Sequence, residues 1–104
     1  MKIKRDINMT LHLSLKEKWY RMIESGEKLE EYREITDYWY KRLTDNGVIK
    51  HFTHVHFTLG YPKRDDTSRN MTRRISDLTI GTGREEWGAE SGKKYFIIKL
   101  FKED

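Results

Sequence analysis

The sequence predicts a small α+β domain in which a curled or closed β-barrel carries helices at its ends. Three observations predict this class. The chain has 104 residues, which suits one domain over residues 1–104. Five segments are typical of strands and two have helical spacing, in the order β–α–β–α–β–β–β. Three tryptophans and six tyrosines supply large apolar side chains to a core that is otherwise poor in aliphatic residues.

The composition limits the classes of function. Charged residues make up 37% of the chain and the formal net charge is +4, which is compatible with a polyanionic partner. There is no cysteine, which excludes disulfides and thiolate metal sites. The four histidines have no carboxylate at ligand spacing, so we expect no metal and no cofactor. No apolar run reaches the roughly 18 residues that span a bilayer, and no signal-peptide pattern occurs, so we expect a cytoplasmic protein without a membrane partner.

The chain is predicted to begin with a strand and a helix. Residues 10–15, TLHLSL, alternate leucines with polar side chains, which predicts a half-buried strand. A helix over about residues 16–25 follows, since Ser14 and Glu17 have the spacing of a capping box and an apolar stripe lies on one helical face. Gly26 directly after that stripe predicts the end of the helix.

The later segments complete the element order. A short helix is predicted over residues 36–43, with Thr36 or Asp37 as its N-cap, and the sequence DNG at 45–47 predicts a turn. The remaining strands are predicted at 28–35, 51–61, 71–83 (as one long strand or two shorter ones) and 95–101. Polar loops are predicted at 61–70 and 85–94.

The segment GEKLEEYR, residues 26–33, places charged side chains where a strand is predicted. Glu31 and Arg33 are two residues apart on that strand and therefore project from the same face. Gly26 permits a turn that aims Lys28 toward the same space. A guanidinium can make forked contacts with a phosphate or a base edge, and a carboxylate can accept hydrogen bonds from amino groups. The same residues are also compatible with an ion-pair network that caps the barrel and binds no ligand.

The spacing Gly-x-Lys-x-x-Glu-x-Arg in this segment resembles the signature of the ASCH domain family, a branch of the PUA-like fold. The similarity covers most of residues 10–101 and includes the sequences EYREITDYWYKRL, HFTLGY and WGAESGKKYFIIKL, which resemble the short bacterial and phage-type members. The resemblance implies a PUA-like β-barrel of about five to six strands with two or so flanking helices. It also implies a cleft, lined by the motif, that binds RNA, a nucleotide or a nucleoside.

The resemblance and the loop composition together predict the ligand site. The motif residues would form the cleft. Aromatic and basic side chains of the two glycine-containing loops would form its rim, where they would stack a base and hold phosphate. The predicted ligand-binding residues are Gly26, Lys28, Glu31, Arg33, Tyr61, Lys63, Arg64 and Trp87. Tyr61 and Trp87 are also compatible with a structural role in closing the ends of the barrel.

The resemblance leaves catalysis open. One branch of small family members hydrolyses the amide of N4-acetylcytidine, so an amidohydrolase is the alternative to a binding domain, and a ribonuclease is a further one. As an enzyme, the chain would use Lys28 and Glu31, because desolvation lowers the pKa of a lysine and lets it act as a base. That branch keeps a threonine at the position of Glu31, and the absence of this hydroxyl favours binding over catalysis. A non-catalytic protein-interaction module is the third alternative.

Overall fold

The computed structural model describes residues 9–60 and 69–102. These residues form a five-stranded sheet, a two-stranded ribbon, two α-helices and one turn of 3-10 helix. In chain order the elements are β1 (Thr10–Leu15), α1 (Glu17–Glu24), β2 (Glu30–Glu34), α2 (Asp37–Leu43), β3 (Thr44–Asp45), β4 (Val48–Ile49), β5 (His54–Leu59), β6 (Asn70–Thr82), η1 (Glu85–Trp87) and β7 (Lys94–Leu100).

The five longer strands form one curled sheet in the order β1–β5–β6–β7–β2. β1 and β5 are parallel, whereas the other neighbouring strands are antiparallel. The pairing of β6 with β7 shifts register between Ile75 and Asp77. An irregularity of this kind bends a strand and increases its twist. The protein is therefore a small α+β protein whose sheet curls into half a barrel, with β1 and β2 as its two edges.

The inner face of this curl is the apolar core. The leucines of β1 face inward, as the alternation of TLHLSL predicts, and the apolar residues of β5 and β7 pack beside them. From α1, Tyr20 and Ile23 are buried against the sheet. Burial of apolar surface contributes about 25 cal/mol per Å², so this cluster is the main source of stability. Its fully buried members include Leu11, Leu43, Val55, Phe57, Phe96 and Ile98.

The two helices start and end at identifiable residues. The N-cap of α1 is Lys16, and no side chain caps that end. The capping-box prediction is therefore wrong, because Ser14 lies within β1. The other end of α1 agrees with the prediction, since Gly26 follows it with a φ of +88°, which glycine adopts at low cost. For α2, the Thr36 hydroxyl accepts a hydrogen bond from the backbone N–H of Trp39 and caps the helix as predicted.

The predicted order of longer elements is confirmed, with two additions. The DNG turn joins β3 and β4, and η1 lies in the segment predicted as a polar loop. The segment at 71–83 forms one long strand rather than two. Of the loop predicted at 61–70, residues 61–68 lie outside the described residues. In the described ranges, no helix combines the length and the apolar character that a membrane crossing requires.

Candidate functional site

A cleft of about 400 Å³ lies between the two edges of the curled sheet. Ser14 and Leu15 of β1 line one side and residues 31–34 of β2 line the other, while the beginnings of α1 and α2 and the η1 segment complete the wall. The lining includes all three tryptophans of the chain, and each of them is half-buried: Trp19, Trp39 and Trp87. The curl of the sheet therefore gathers three indole rings from distant parts of the sequence around one opening, which is termed the tryptophan cleft.

The charged residues of the motif form a connected network against this cleft. The Lys28 ammonium lies 2.8 Å from Oε1 of Glu31, and Oε2 of Glu31 accepts a hydrogen bond from the Arg33 guanidinium. Lys28 is 1% exposed and Glu31 is 5% exposed. Every buried side-chain nitrogen and oxygen in the described part of the chain has a hydrogen-bond partner. One buried carboxylate thus holds two cations, an arrangement in which the removal of one partner leaves an uncompensated charge.

The Lys28 ammonium is enclosed by the fold. It also donates to the backbone carbonyl of Glu30 at 2.6 Å, and it lies 5.2 Å and 5.0 Å from the ring centres of Trp19 and Tyr32. Burial lowers the pKa of Lys28, and the Glu31 carboxylate opposes this shift. Lys28 does not line the tryptophan cleft. It lines a cavity of about 60 Å³ at the end of α1 instead. Its contacts hold the Glu31 carboxylate and the Trp19 ring in position.

Arg33 reaches from the network to the cleft. Its Nη1 donates to Glu31 and, at 2.8 Å, to the carbonyl of Tyr32, and its Nη2 donates to the carbonyl of Ser14 at 2.9 Å. A guanidinium has five N–H groups, and these bonds use three. The remaining two have no partner among the described residues. Because the side chain of Arg33 is 17% exposed and lines the cleft, they are available to a ligand.

A second arginine supports the same wall of the cleft. The guanidinium carbons of Arg33 and Arg42 both lie 5.3 Å from the ring centre of Trp39, within the range of cation–π attraction. Arg42 donates through Nη2 to the backbone carbonyl of His12 at 2.8 Å. Two outward carbonyls of β1, those of His12 and Ser14, are therefore occupied by arginines from α2 and β2. These bonds fix Trp39 against the edge of β1.

The opposite wall is held by the segment that contains η1. The Arg84 guanidinium carbon lies 4.4 Å from the ring centre of Trp87, and the Arg84 backbone N–H donates to the Tyr32 hydroxyl at 2.9 Å. Burial raises the pKa of Tyr32 well above its usual range, so the hydroxyl keeps its proton. Gly88 follows with a φ of +107°, and a Cβ there would lie 3.0 Å from the Trp19 ring. A residue larger than glycine would therefore be strained at this φ and would displace the Trp19 ring.

The structure brings together part of the predicted ligand site. Glu31, Arg33 and Trp87 line the tryptophan cleft. Gly26 and Lys28 line the smaller cavity behind it. The predictions for Tyr61, Lys63 and Arg64 fall on residues outside the described ranges.

The sequence did not predict that Trp19 and Trp39 line the cleft, nor that Arg42 contacts Trp39. A basic residue lies within three positions of each tryptophan, but with 21 lysines and arginines in 104 residues this spacing alone does not mark a site. The pairs are Lys18 with Trp19, Trp39 with Arg42, and Arg84 with Trp87, and each pair is in cation–π contact.

Comparisons of the chain with models of protein families, with curated proteins and with solved structures found no match. Within the described ranges, no group of three or more histidine, aspartate or glutamate side chains is placed to hold a metal ion. The chemistry of the cleft therefore has to be inferred from its tryptophans and charged groups.

Proposed function

We propose that the protein is an ASCH-type domain with a PUA-like fold, and that it binds RNA or a nucleotide in the tryptophan cleft. The observation that carries this proposal is the placement of all three tryptophans around one cleft beside the partly free Arg33 guanidinium. A volume of about 400 Å³ lies in the range of small-molecule pockets. Aromatic rings stack bases of any sequence, and a guanidinium binds phosphate or a base edge.

The charges at the cleft favour an anionic ligand. The two carboxylates of the lining are both paired: Glu31 with Lys28 and Arg33, and Glu34 with Lys93 at 2.6 Å. Lys16, in contrast, is exposed in the lining and forms no ion pair within the described residues. The charged groups of the cleft lining that remain free to contact a ligand are therefore cationic, as a phosphate-bearing ligand requires.

The amidohydrolase alternative is supported less well. It requires Lys28 or Glu31 to act on a substrate. The ammonium of Lys28 is enclosed by Glu31, Glu30 and two aromatic rings, and Glu31 holds two cations. We expect no release of acetate from N4-acetylcytidine and no cleavage of RNA. Turnover that disappears in Lys28→Met would establish the enzyme instead.

Tryptophan fluorescence tests the proposed binding. Titration with a single-stranded RNA of about four nucleotides, or with nucleoside monophosphates, is expected to change the emission in a saturable way. Trp87→Ala is expected to weaken binding roughly tenfold, since one base stacked on an aromatic ring contributes about 1–3 kcal/mol. Trp87→Phe keeps a ring and should retain most of the affinity.

A matched control is Tyr40→Ala, which removes an aromatic side chain that is 47% exposed and lies outside the cleft lining. Circular dichroism should show that each variant is folded. If neither RNA nor any nucleotide changes the emission of the folded protein at low salt, the proposal is wrong.

A further inference from the structure

The outer face of β1, β5 and the first half of β6 is polar, and its paired rows in the described structure carry no carboxylate. The register places His12 beside His56 and Thr72, and His54 beside Arg74, all on the side opposite the apolar core. Each of the three strands contributes three outward positions to these paired rows, and none of the nine is an aspartate or glutamate, although the chain has 17 such residues. The polar sheet face is the surface formed by these nine outward side chains: Thr10, His12, Ser14, His54, His56, Thr58, Asn70, Thr72 and Arg74.

One end of the polar sheet face presents a cation on an exposed aromatic ring. The guanidinium carbon of Arg74 lies 4.5 Å from the ring centre of Phe101, which is 44% exposed. In the middle of the face, the rings of His12 and His56 lie 5.5 Å apart, and Nδ1 of His56 is bonded to the Thr72 hydroxyl at 2.9 Å. Aromatic and imidazole rings stack unpaired bases, and arginine binds phosphate. The face thus repeats the chemistry of the cleft.

The polar sheet face is continuous with the tryptophan cleft across the edge of β1. Ser14 belongs to both surfaces, because it lines the cleft and occupies the outward position next to His12 on β1. Arg42 joins the same two surfaces, since it contacts Trp39 and donates to the carbonyl of His12. Two residues of a strand span about 7 Å, roughly the distance from Ser14 to His12. An RNA strand that leaves the cleft at Ser14 therefore reaches His12 within about 7 Å.

The other half of the outer sheet surface has different chemistry. There the register places Lys99 between Asp77 and Glu30, so its cation is flanked by two carboxylates. Farther along, Trp87 packs against the apolar cluster of Tyr32, Ala89, Tyr95 and Ile97 on the same side of the sheet. A polyanion that leaves the cleft would be repelled or obstructed on this side, whereas the polar sheet face attracts it.

We propose that single-stranded RNA held in the tryptophan cleft continues across the edge of β1 onto the polar sheet face. There Arg74 contacts a phosphate, and Phe101 with the histidine rings stacks bases. This inference rests on the proposed binding of RNA in the cleft and extends it to a second surface. It requires affinity to depend on RNA length, because only an RNA longer than the cleft reaches Arg74.

The test compares labelled single-stranded RNAs of about four and about twelve nucleotides, within the range of site sizes of small β-barrel domains. Fluorescence anisotropy is measured over a series of salt concentrations. Arg74→Gln is expected to weaken the binding of the long RNA. It should also make the slope of log K against log salt concentration less steep by about 0.7, the value for one phosphate contact on a single strand. Phe101→Ala is expected to lower the affinity for the long RNA roughly fivefold or more. Both variants should bind the short RNA as the wild type does.

Lys94→Ala is the charge-matched control, because Lys94 pairs with Thr82 at the opposite end of β6 and β7. It should leave the difference between the long and the short RNA unchanged. If Arg74→Gln and Phe101→Ala both bind the long RNA as tightly as the wild type does, and the short RNA still binds, the extension of the RNA onto the polar sheet face is wrong. The proposed binding in the cleft would then stand. Failure of the wild type to bind either length would overturn the proposed function itself. A competition experiment adds poly-L-glutamate at the same concentration of charge as the long RNA. If it displaces the long RNA, the polar sheet face recognises an acidic protein, and its proposed role in RNA binding is wrong.

Discussion

Arg33 joins the two edges of the sheet, because its Nη2 donates to the backbone carbonyl of Ser14 at 2.9 Å. Arg33 lies on β2 and Ser14 on β1, and these two strands are not hydrogen-bonded neighbours in the sheet. The same guanidinium binds Glu31 and the carbonyl of Tyr32. One side chain thus ties the half-barrel together where the tryptophan cleft opens, so its contribution to folding and its contribution to binding have to be measured separately.

We expect Arg33→Ala to lower the free energy of unfolding by about 3 kcal/mol, because it leaves the buried Glu31 carboxylate with one partner fewer. Arg33→Lys should lose less, since it keeps the charge. It should still lose some stability, because an ammonium lacks the planar fork that reaches both Glu31 and the carbonyl of Ser14. Urea unfolding followed by circular dichroism measures both. Arg21→Ala is the control, because the ion pairs of Arg21 are exposed and such pairs contribute little. An Arg33→Ala midpoint equal to that of the wild type would contradict the role in folding.

Glu31 and Lys28 are expected to be strongly coupled. Glu31→Gln leaves two cations without their carboxylate, and we expect a loss of about 3–5 kcal/mol in unfolding free energy. Lys28→Met in the same chain removes one of these cations and should recover part of the loss. A double-mutant cycle by urea unfolding measures the coupling. If the losses of the two single variants simply add in the double variant, the ion pair does not stabilise the fold as its geometry indicates.

Most strands and helices could be predicted because their signals are local. The alternation of leucines with polar residues in TLHLSL predicts β1, and Gly26 predicts the end of α1. Neither signal depends on the rest of the chain. The capping box failed for a tertiary reason. Ser14 is held in β1 by pairing with Thr58, and its carbonyl accepts from Arg33, so the chain is extended where a capping serine would be needed.

The site could be predicted only in part, for the same reason. Glu31 and Arg33 share a face because they are two apart on one strand, which the sequence reveals. The burial of Lys28 depends on where Trp19 and Tyr32 pack, and these side chains come from α1 and β2. The gathering of the three tryptophans depends on the curl of the sheet and on the register shift in β6, for which no local signal was recognised.

Gly83 permits the close approach of Tyr32 to the segment before η1. A Cβ at residue 83 would lie 2.6 Å from the Tyr32 ring and 2.8 Å from the Cβ of Ala89, and neither can move freely because both are buried. We therefore expect Gly83→Ala to cost about 1–3 kcal/mol of unfolding free energy. Gly81→Ala is the control, because its Cβ would meet only the end of the Ile97 side chain at 3.4 Å. Equal urea midpoints for the two variants would show that the segment adapts without cost.

The pH dependence of stability should report the buried ammonium of Lys28. Its pKa is lowered by burial, whereas a lysine in the unfolded chain titrates at about 10.4. Between these two values the unfolded chain binds more protons than the folded one, so the free energy of unfolding rises with pH. The penalty for burying the charged amine is fully present below the lowered pKa and is relieved as the pH rises through it.

The difference in unfolding free energy between the wild type and Lys28→Met isolates this effect, because groups that titrate alike in both proteins cancel. We expect the wild type to gain stability relative to Lys28→Met as the pH is raised from about 8 to about 10. The series ends there because Tyr32 begins to lower the unfolding free energy above about pH 10, since its pKa is raised by burial. The centre of its ring lies 5.0 Å from the Lys28 ammonium, so its effect would not cancel between the two proteins. Urea unfolding at intervals of pH gives the measurement. A difference that stays constant or falls over this range would mean that Lys28 is not held as a desolvated ammonium.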